Sequence, residues 1–133
     1  MFGNIKSKKD GGLVYLKNGA LEIDSSLIAD ISAGQRGGMI YTDDKVQITI
    51  KSSKFNKIHA NLGGLIYSSG LITQTTPSTI AFTGPQTFSE IASEQGGGVF
   101  YFDHPKLDVD LNTVLTLSNC HTHQGNGGVF YIS

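Results

Sequence analysis

The chain has 133 residues, a formal net charge of −1 and only 16% charged residues, a balance that argues against a polyanionic partner held by counterion release. Its single cysteine, Cys120, rules out an intrachain disulfide framework, and no run of about 18 apolar residues is present to span a membrane as a helix. Glycine, at 17 residues, is about twice its usual share, which points to a fold built on many turns. The opening segment, MFGNIKSKKDGG, has no apolar core of the kind a secretory signal carries.

In chain order, the first recognisable element is GGLVY over 11–15. A glycine pair marks a turn, and the apolar run behind it marks a short strand. Leu21 and Ile23 then alternate with polar residues, which predicts a strand with one buried face. Ile28, Ile31 and Ala33 follow at wider spacing. The pattern restarts with GGMIY at 37–41, Ile48 and Ile50, a polar turn at Ser52–Ser53–Lys54, and Phe55, Ile58 and Ala60. It restarts again with GGLIY at 63–67, Ile80 and Phe82, then Phe88, Ile91 and Ser93. A fourth copy opens with GGVFY at 97–101 and continues with Leu115 and Leu117, which are aligned here with Ile80 and Phe82. GGVFY at 127–131 opens a fifth.

The five tyrosines of the chain, Tyr15, Tyr41, Tyr67, Tyr101 and Tyr131, all stand in this motif. Ten glycines form the pairs: Gly11 and Gly12, Gly37 and Gly38, Gly63 and Gly64, Gly97 and Gly98, Gly127 and Gly128. The pairs recur at 26, 26, 34 and 30 residues, a period that belongs to solenoids, propellers and repeat arrays. A propeller blade needs about 40 to 45 residues for four strands, more than one period supplies. Two or three short strands per period, rich in Ile, Val, Phe, Thr and Tyr, fit one turn of a parallel β-helix. The expectation is an all-β, right-handed parallel β-helix of about five coils over 1–133, a single domain that is a segment of a longer or polymerised array.

In such a coil the glycine pairs are corner residues, where a positive φ is needed. Equivalent residues of stacked coils lie about 4.8 Å apart, so the tyrosines should form a ladder with Tyr15 and Tyr131 about 19 Å from each other. Strand side chains alternate faces. With Val14, Ile40, Ile66, Phe100 and Phe130 inside, the row Leu13, Met39, Leu65, Val99 and Val129 is left outside beside the tyrosines. That predicts an apolar outer strip suited to contact with another chain or domain.

The unequal spacings are explained by insertions at 68–79 and 102–112, both leaving the corner after the tyrosine. The first is rich in Ser and Thr with one Pro, a composition that suits O-linked glycans. No Asn-x-Ser/Thr acceptor is present for N-linked ones. Five residues could carry carboxylate chemistry on this scaffold: Asp43, Asp44, Asp103, Asp108 and Asp110. They could share an edge, but the one arginine, Arg36, stands at a turn beside neither group, and solvated turn acids are the simpler account. His121 and His123 could project from one side of a strand and, with Cys120, ligate a metal. No second ligand group stands at the usual spacing, and a free cysteine is more often a small buried hydrophobe. The sequence therefore supplies no catalytic, cofactor-binding or metal residues.

The stretch ITIKSSKFNKIHANLGGLIY, Ile48 to Tyr67, resembles the repeats of chlamydial polymorphic outer membrane proteins and the Gly-Gly-Ile-Tyr repeats of large ciliate surface proteins. The resemblance runs from Gly11 to Tyr131. It implies a pectin-lyase-like β-helix and an extracellular or cell-surface structural or adhesive role. Where that family has Phe-x-x-Asn, this chain has Ile58 three residues after Phe55. The composite expectation is a non-enzymatic β-helical segment that self-associates head to tail, or joins further repeats of a parent chain, through uncapped ends. The alternative is a carbohydrate-active enzyme or carbohydrate-binding module on the same scaffold.

Overall fold

The computed structural model describes residues 5–70, 76–103, 106–111 and 113–132. All regular structure is β. Strands β1 (Ile5–Ser7), β3 (Leu27–Ala33), β5 (Lys54–Leu62), β8 (Gln86–Gly96), β11 (Leu115–Ser118) and β12 (His121–Thr122) form one parallel sheet. Strands β2 (Val14–Asp24), β4 (Ile40–Lys51), β6 (Ile66–Ser69), β7 (Ser78–Thr83), β9 (Phe100–Asp103), β10 (Leu107–Asp110) and β13 (Phe130–Ile132) form the other. Every pairing joins one turn of the chain to the next, so the two sheets wind as a parallel β-solenoid of about four turns. The register is columnar: Val14, Ile40, Ile66, Phe100 and Phe130 stack on one another, as do Leu21, Ile48, Ile80 and Val109.

The lumen is filled by these columns. Ile40, Ile48, Ile58, Ile66, Ile80, Phe82, Phe88, Ile91 and Phe100 are fully buried, with Phe55 and Phe88 stacked at 5.3 Å and Phe82 edge-on to Phe88 and Phe100. The recurring three-residue gap, as between Phe55 and Ile58, has a backbone cause. Asp30, Lys57, Glu90 and Asn119 stand one residue before Ile31, Ile58, Ile91 and Cys120, and all four have a positive φ between 53° and 56°. One left-handed residue breaks the alternation, so both flanking apolar residues face inward.

Two sequence expectations need correction. Leu115–Ser118 pairs with Gln86–Ser89, so Leu117 continues the Phe55 and Phe88 column rather than that of Phe82. The place opposite Ile80 is taken by Val109, within the segment assigned to the 102–112 insertion. Measured to this column, the chain needs 7 residues from Tyr41 to Ile48 and 13 from Tyr67 to Ile80, but only 8 from Tyr101 to Val109. The long connection is thus the one after Tyr67; part of it, 71–75, lies outside the described residues, as do 104–105 and 112.

The second correction concerns the row Leu13, Met39, Leu65, Val99 and Val129. Met39, Leu65 and Val99 are fully buried and belong to the core, with Leu13 and Val129 packed against it. No apolar strip runs outside beside the tyrosines. These residues occupy the corner, ahead of the strand proper. The Leu65 carbonyl accepts from both Met39 N–H, at 3.0 Å, and Ile40 N–H, at 2.9 Å, and the corners at Leu13, Leu65 and Val99 repeat this pairing. Alternation has not begun at that point, so consecutive residues both turn inward.

Candidate functional site

The most ordered surface feature is the corner where the glycine pairs, the tyrosine column and Arg36 meet. The first glycine of each pair has a φ between +57° and +75°, which L side chains seldom adopt. The second glycine is required for a different reason. A Cβ at Gly38 would run into the Gly64 carbonyl oxygen, one at Gly64 into that of Gly98, and one at Gly98 into that of Gly128. The corners of successive coils therefore sit closer than any side chain permits.

This corner aims the tyrosines into one column. Ring centroids are 4.9 Å apart for Tyr15 and Tyr41, 5.5 Å for Tyr41 and Tyr67, 4.9 Å for Tyr67 and Tyr101, and 4.5 Å for Tyr101 and Tyr131, all stacked. Such pairs add to the burial of each ring. Tyr41 and Tyr67 are buried, whereas Tyr15, at the top of the column, is 54% exposed. Because the ring faces cover one another, the column offers little aromatic face to a ligand such as a sugar ring.

Arg36 closes this column from outside. Its guanidinium carbon lies 4.5 Å from the Tyr41 ring centroid and 5.4 Å from that of Tyr67. The same group grips Asp10 through Nε to Oδ1 at 2.9 Å and an Nη to Oδ2 at 2.8 Å, while the Arg36 backbone N–H donates to Oδ1 at 3.2 Å. Asp10 and Arg36 each stand immediately before a glycine pair, one coil apart. The sequence reading set Arg36 only against acids that follow the strands and missed Asp10; the 26-residue period back from Arg36 was the signal. Burial pushes the Tyr41 and Tyr101 hydroxyls up to about 12, and it raises that of Tyr67 as well. The Arg36 charge works against this shift at Tyr41 and Tyr67. The hydrogen bond to Asp10 raises the guanidinium further above its ordinary value.

The candidate acids are not brought together. Asp43 follows Thr42 and Asp103 follows Phe102 in the column Thr42, Ser68, Phe102, with Ser69 on the coil between them. Asp108 and Asp110 lie on the separate strand β10, opposite Thr79 and Ala81. Asp44 adopts a φ of 62° at a corner. His121 and His123 are exposed, with rings 4.7 Å apart and edge-on. Cys120 turns the other way, its thiol directed at the Phe88 and Ser118 carbonyls at 3.5 Å each, and burial raises its pKa. Among the described residues no group of three His, Cys, Asp or Glu side chains is placed to hold a metal ion.

Polar side chains inside the wall serve the architecture. Gln86, 1% exposed, accepts from Ser53 N–H at 3.0 Å and donates to the carbonyls of Ile50, Thr83 and Gly84. Ser53 Oγ in turn accepts from Ser26 N–H at 3.1 Å. Thr42 and Ser68 join at 2.8 Å, and Val46 N–H donates to Ser78 Oγ at 3.0 Å. The bonds from Ser26, Val46 and Ser53 N–H give those backbone donors side-chain acceptors, while Thr42 and Ser68 link two strands already paired in register. No helix among the described residues is long and apolar enough to cross a membrane. No protein-family model, curated protein or solved structure matches the chain.

Proposed function

We propose that this chain is a structural or adhesive segment of an extracellular β-solenoid, a rod element that joins further β-structure through its ends. The observation that carries this reading is where its exposed apolar side chains lie. Tyr15 and Leu27 belong to the first full turn; Leu111, Val114, Leu117 and Ile132 belong to the last turn or the strand beyond it. The middle turns expose no large hydrophobic side chain among the described residues. Among the described residues, the outermost strands of both sheets lie at the same two ends. The extracellular setting follows from the repeat resemblance, and the Ser/Thr-rich segment at 68–79 suits O-linked glycans there.

The test is the association state of the purified chain at micromolar concentration, followed by light scattering and negative-stain imaging. Concentration-dependent rods or oligomers are expected. A soluble 14.2 kDa monomer across the whole range would overturn the reading.

A further inference from the structure

Alternation through β12 sorts four consecutive residues between the two sides of the wall. Cys120 packs against the core, with its thiol directed at the Phe88 and Ser118 carbonyls. His121 stands outside, in the column Lys6, Ser32, His59 and Ala92. Thr122 is half-buried, and its hydroxyl donates to the Gln124 carbonyl at 3.0 Å. His123 is again exposed. Both imidazoles therefore project from the flank of the solenoid, on one face.

Their ring centroids lie 4.7 Å apart, with an interplanar angle of 88°. Two imidazoles on adjacent positions of one metal ion, with bonds of about 2.0 to 2.1 Å, have centroids about 4.5 to 5 Å apart. The pair already has that spacing. Rotation about χ2, a soft torsion in histidine, aims one nitrogen of each ring at a common point.

The surroundings favour such a use. The backbone is pinned beside the second ring, where His123 N–H donates to the Ser93 carbonyl at 2.9 Å and Gln124 N–H to that of Glu94 at 2.7 Å. Neither imidazole has a hydrogen-bond partner among the described residues. Strand β8, on which β12 pairs, carries Glu90 and Glu94 and no lysine or arginine, so no cation there opposes a metal ion. His59, in the same column, is placed differently: its Nε2 lies 2.7 Å from Glu94 Oε1.

We propose that His121 and His123 together chelate one divalent ion of the late first-row transition series, copper(II) most tightly. Neutral imidazole is a good donor to these ions, and copper(II) heads their order of affinity. The sequence grouped Cys120 with the two histidines, but the wall of the solenoid separates the thiol from them. No third His, Cys, Asp or Glu side chain joins the pair among the described residues. Two protein nitrogens hold the ion, and water fills its other positions. That makes an exchangeable docking site, unlike a structural centre closed by four protein ligands.

Copper(II) alone, titrated into the 133-residue chain in a non-coordinating buffer, tests the assignment by calorimetry and pulsed electron paramagnetic resonance. One equivalent should bind, with two coordinated imidazoles in the spectrum. His121→Asn and His123→Asn should each lower the affinity by about ten-fold or more and leave one imidazole in the signal. Both side chains are exposed, so the melting temperature of the metal-free chain should stay the same. His59→Asn should alter neither affinity nor spectrum. Fewer than two imidazoles in the wild-type spectrum, or an affinity that either substitution leaves intact, would overturn the chelate. The structural reading above stands or falls separately, on association of the chain without metal.

Discussion

The guanidinium of Arg36 lies 4.5 Å from the centroid of the Tyr41 ring and so covers a tyrosine whose other neighbours are tyrosines. The same cation holds Asp10 on the preceding coil by two side-chain bonds. It is half-buried, so solvent screens the pair only in part. Arg36→Lys keeps the charge and loses the planar fork that serves ring and carboxylate together. The expected loss is about 1 kcal/mol of unfolding free energy. Arg36→Ala should lose more and leave Tyr41 accessible to iodination. Equal stability for all three proteins in denaturant titrations would show that the clamp contributes nothing.

At Gly64 the sequence suggested strain in φ, and the structure gives another cause. The backbone is ordinary, but a Cβ would strike the Gly98 carbonyl and press on that of Ala92. Gly64→Ala is therefore expected to cost about 1 to 3 kcal/mol, and Gly64→Val more. Thermal melts compared with Gly128→Ala, where the same methyl enters open space, check the assignment. Similar melting temperatures for the two alanine variants would contradict it.

Gln86 joins a buried backbone N–H to three carbonyls. Gln86→Leu fills much of the same volume but leaves the buried Ser53 N–H without its acceptor, while the Thr83 and Gly84 carbonyls keep Ser52 N–H and the Thr113 hydroxyl. A loss of about 1 to 3 kcal/mol is expected, chiefly from that unsatisfied donor. Gln86→Glu should also destabilise, since a carboxylate cannot donate to the carbonyls. Chemical denaturation of both variants gives the answer; a neutral leucine substitution would mean that water replaces the amide without cost.

Tyr41 and Tyr101 have hydroxyls raised to about 12 in the folded chain, chiefly by burial. An unfolded tyrosine ionises near 10. The folded state therefore holds these protons more tightly. Its advantage is complete below about pH 10 and is lost as pH rises toward 12. Phenolate absorbance should show groups that titrate together with unfolding in that window. Full ionisation near pH 10 with the fold intact would contradict the burial of these rings.

Much of the architecture could be read from residues that can stand only in columns. Tyrosine at every fifth motif position and glycine at every corner predict stacking because a coil spacing near 4.8 Å forces equivalent residues into contact. The orientation of Met39 and Leu65 was not readable. An alternating-strand rule assigns them outward, yet both belong to a corner where one carbonyl serves two donors. The partner of Val109 was hidden for a related reason. Leu115 and Leu117 alternate as well as Ile80 and Phe82 do, and only pairing distinguishes the columns. At the candidate site the tyrosines were visible by repetition. Asp10 could be found only by counting one period back from Arg36, because the pre-glycine position holds Asp10, Arg36, Leu62, Gly96 and Asn126, with no repeated residue type.

The unequal length of the turns sets how variation in this chain should be inherited. Contact partners lie one turn apart, but a turn has no fixed length. Thr42 answers to Ser68 at a separation of 26, Ser53 to Gln86 at 33 and Asn56 to Ser89 at 33. Compensating substitutions should therefore track columns, not a constant repeat. A change at Asn56 is expected to be rescued at Ser89, whose hydroxyl donates to its side chain, and to be indifferent to the residue 26 positions on. Epistasis in this chain would then run along the solenoid axis, from each coil to its two neighbours and scarcely beyond.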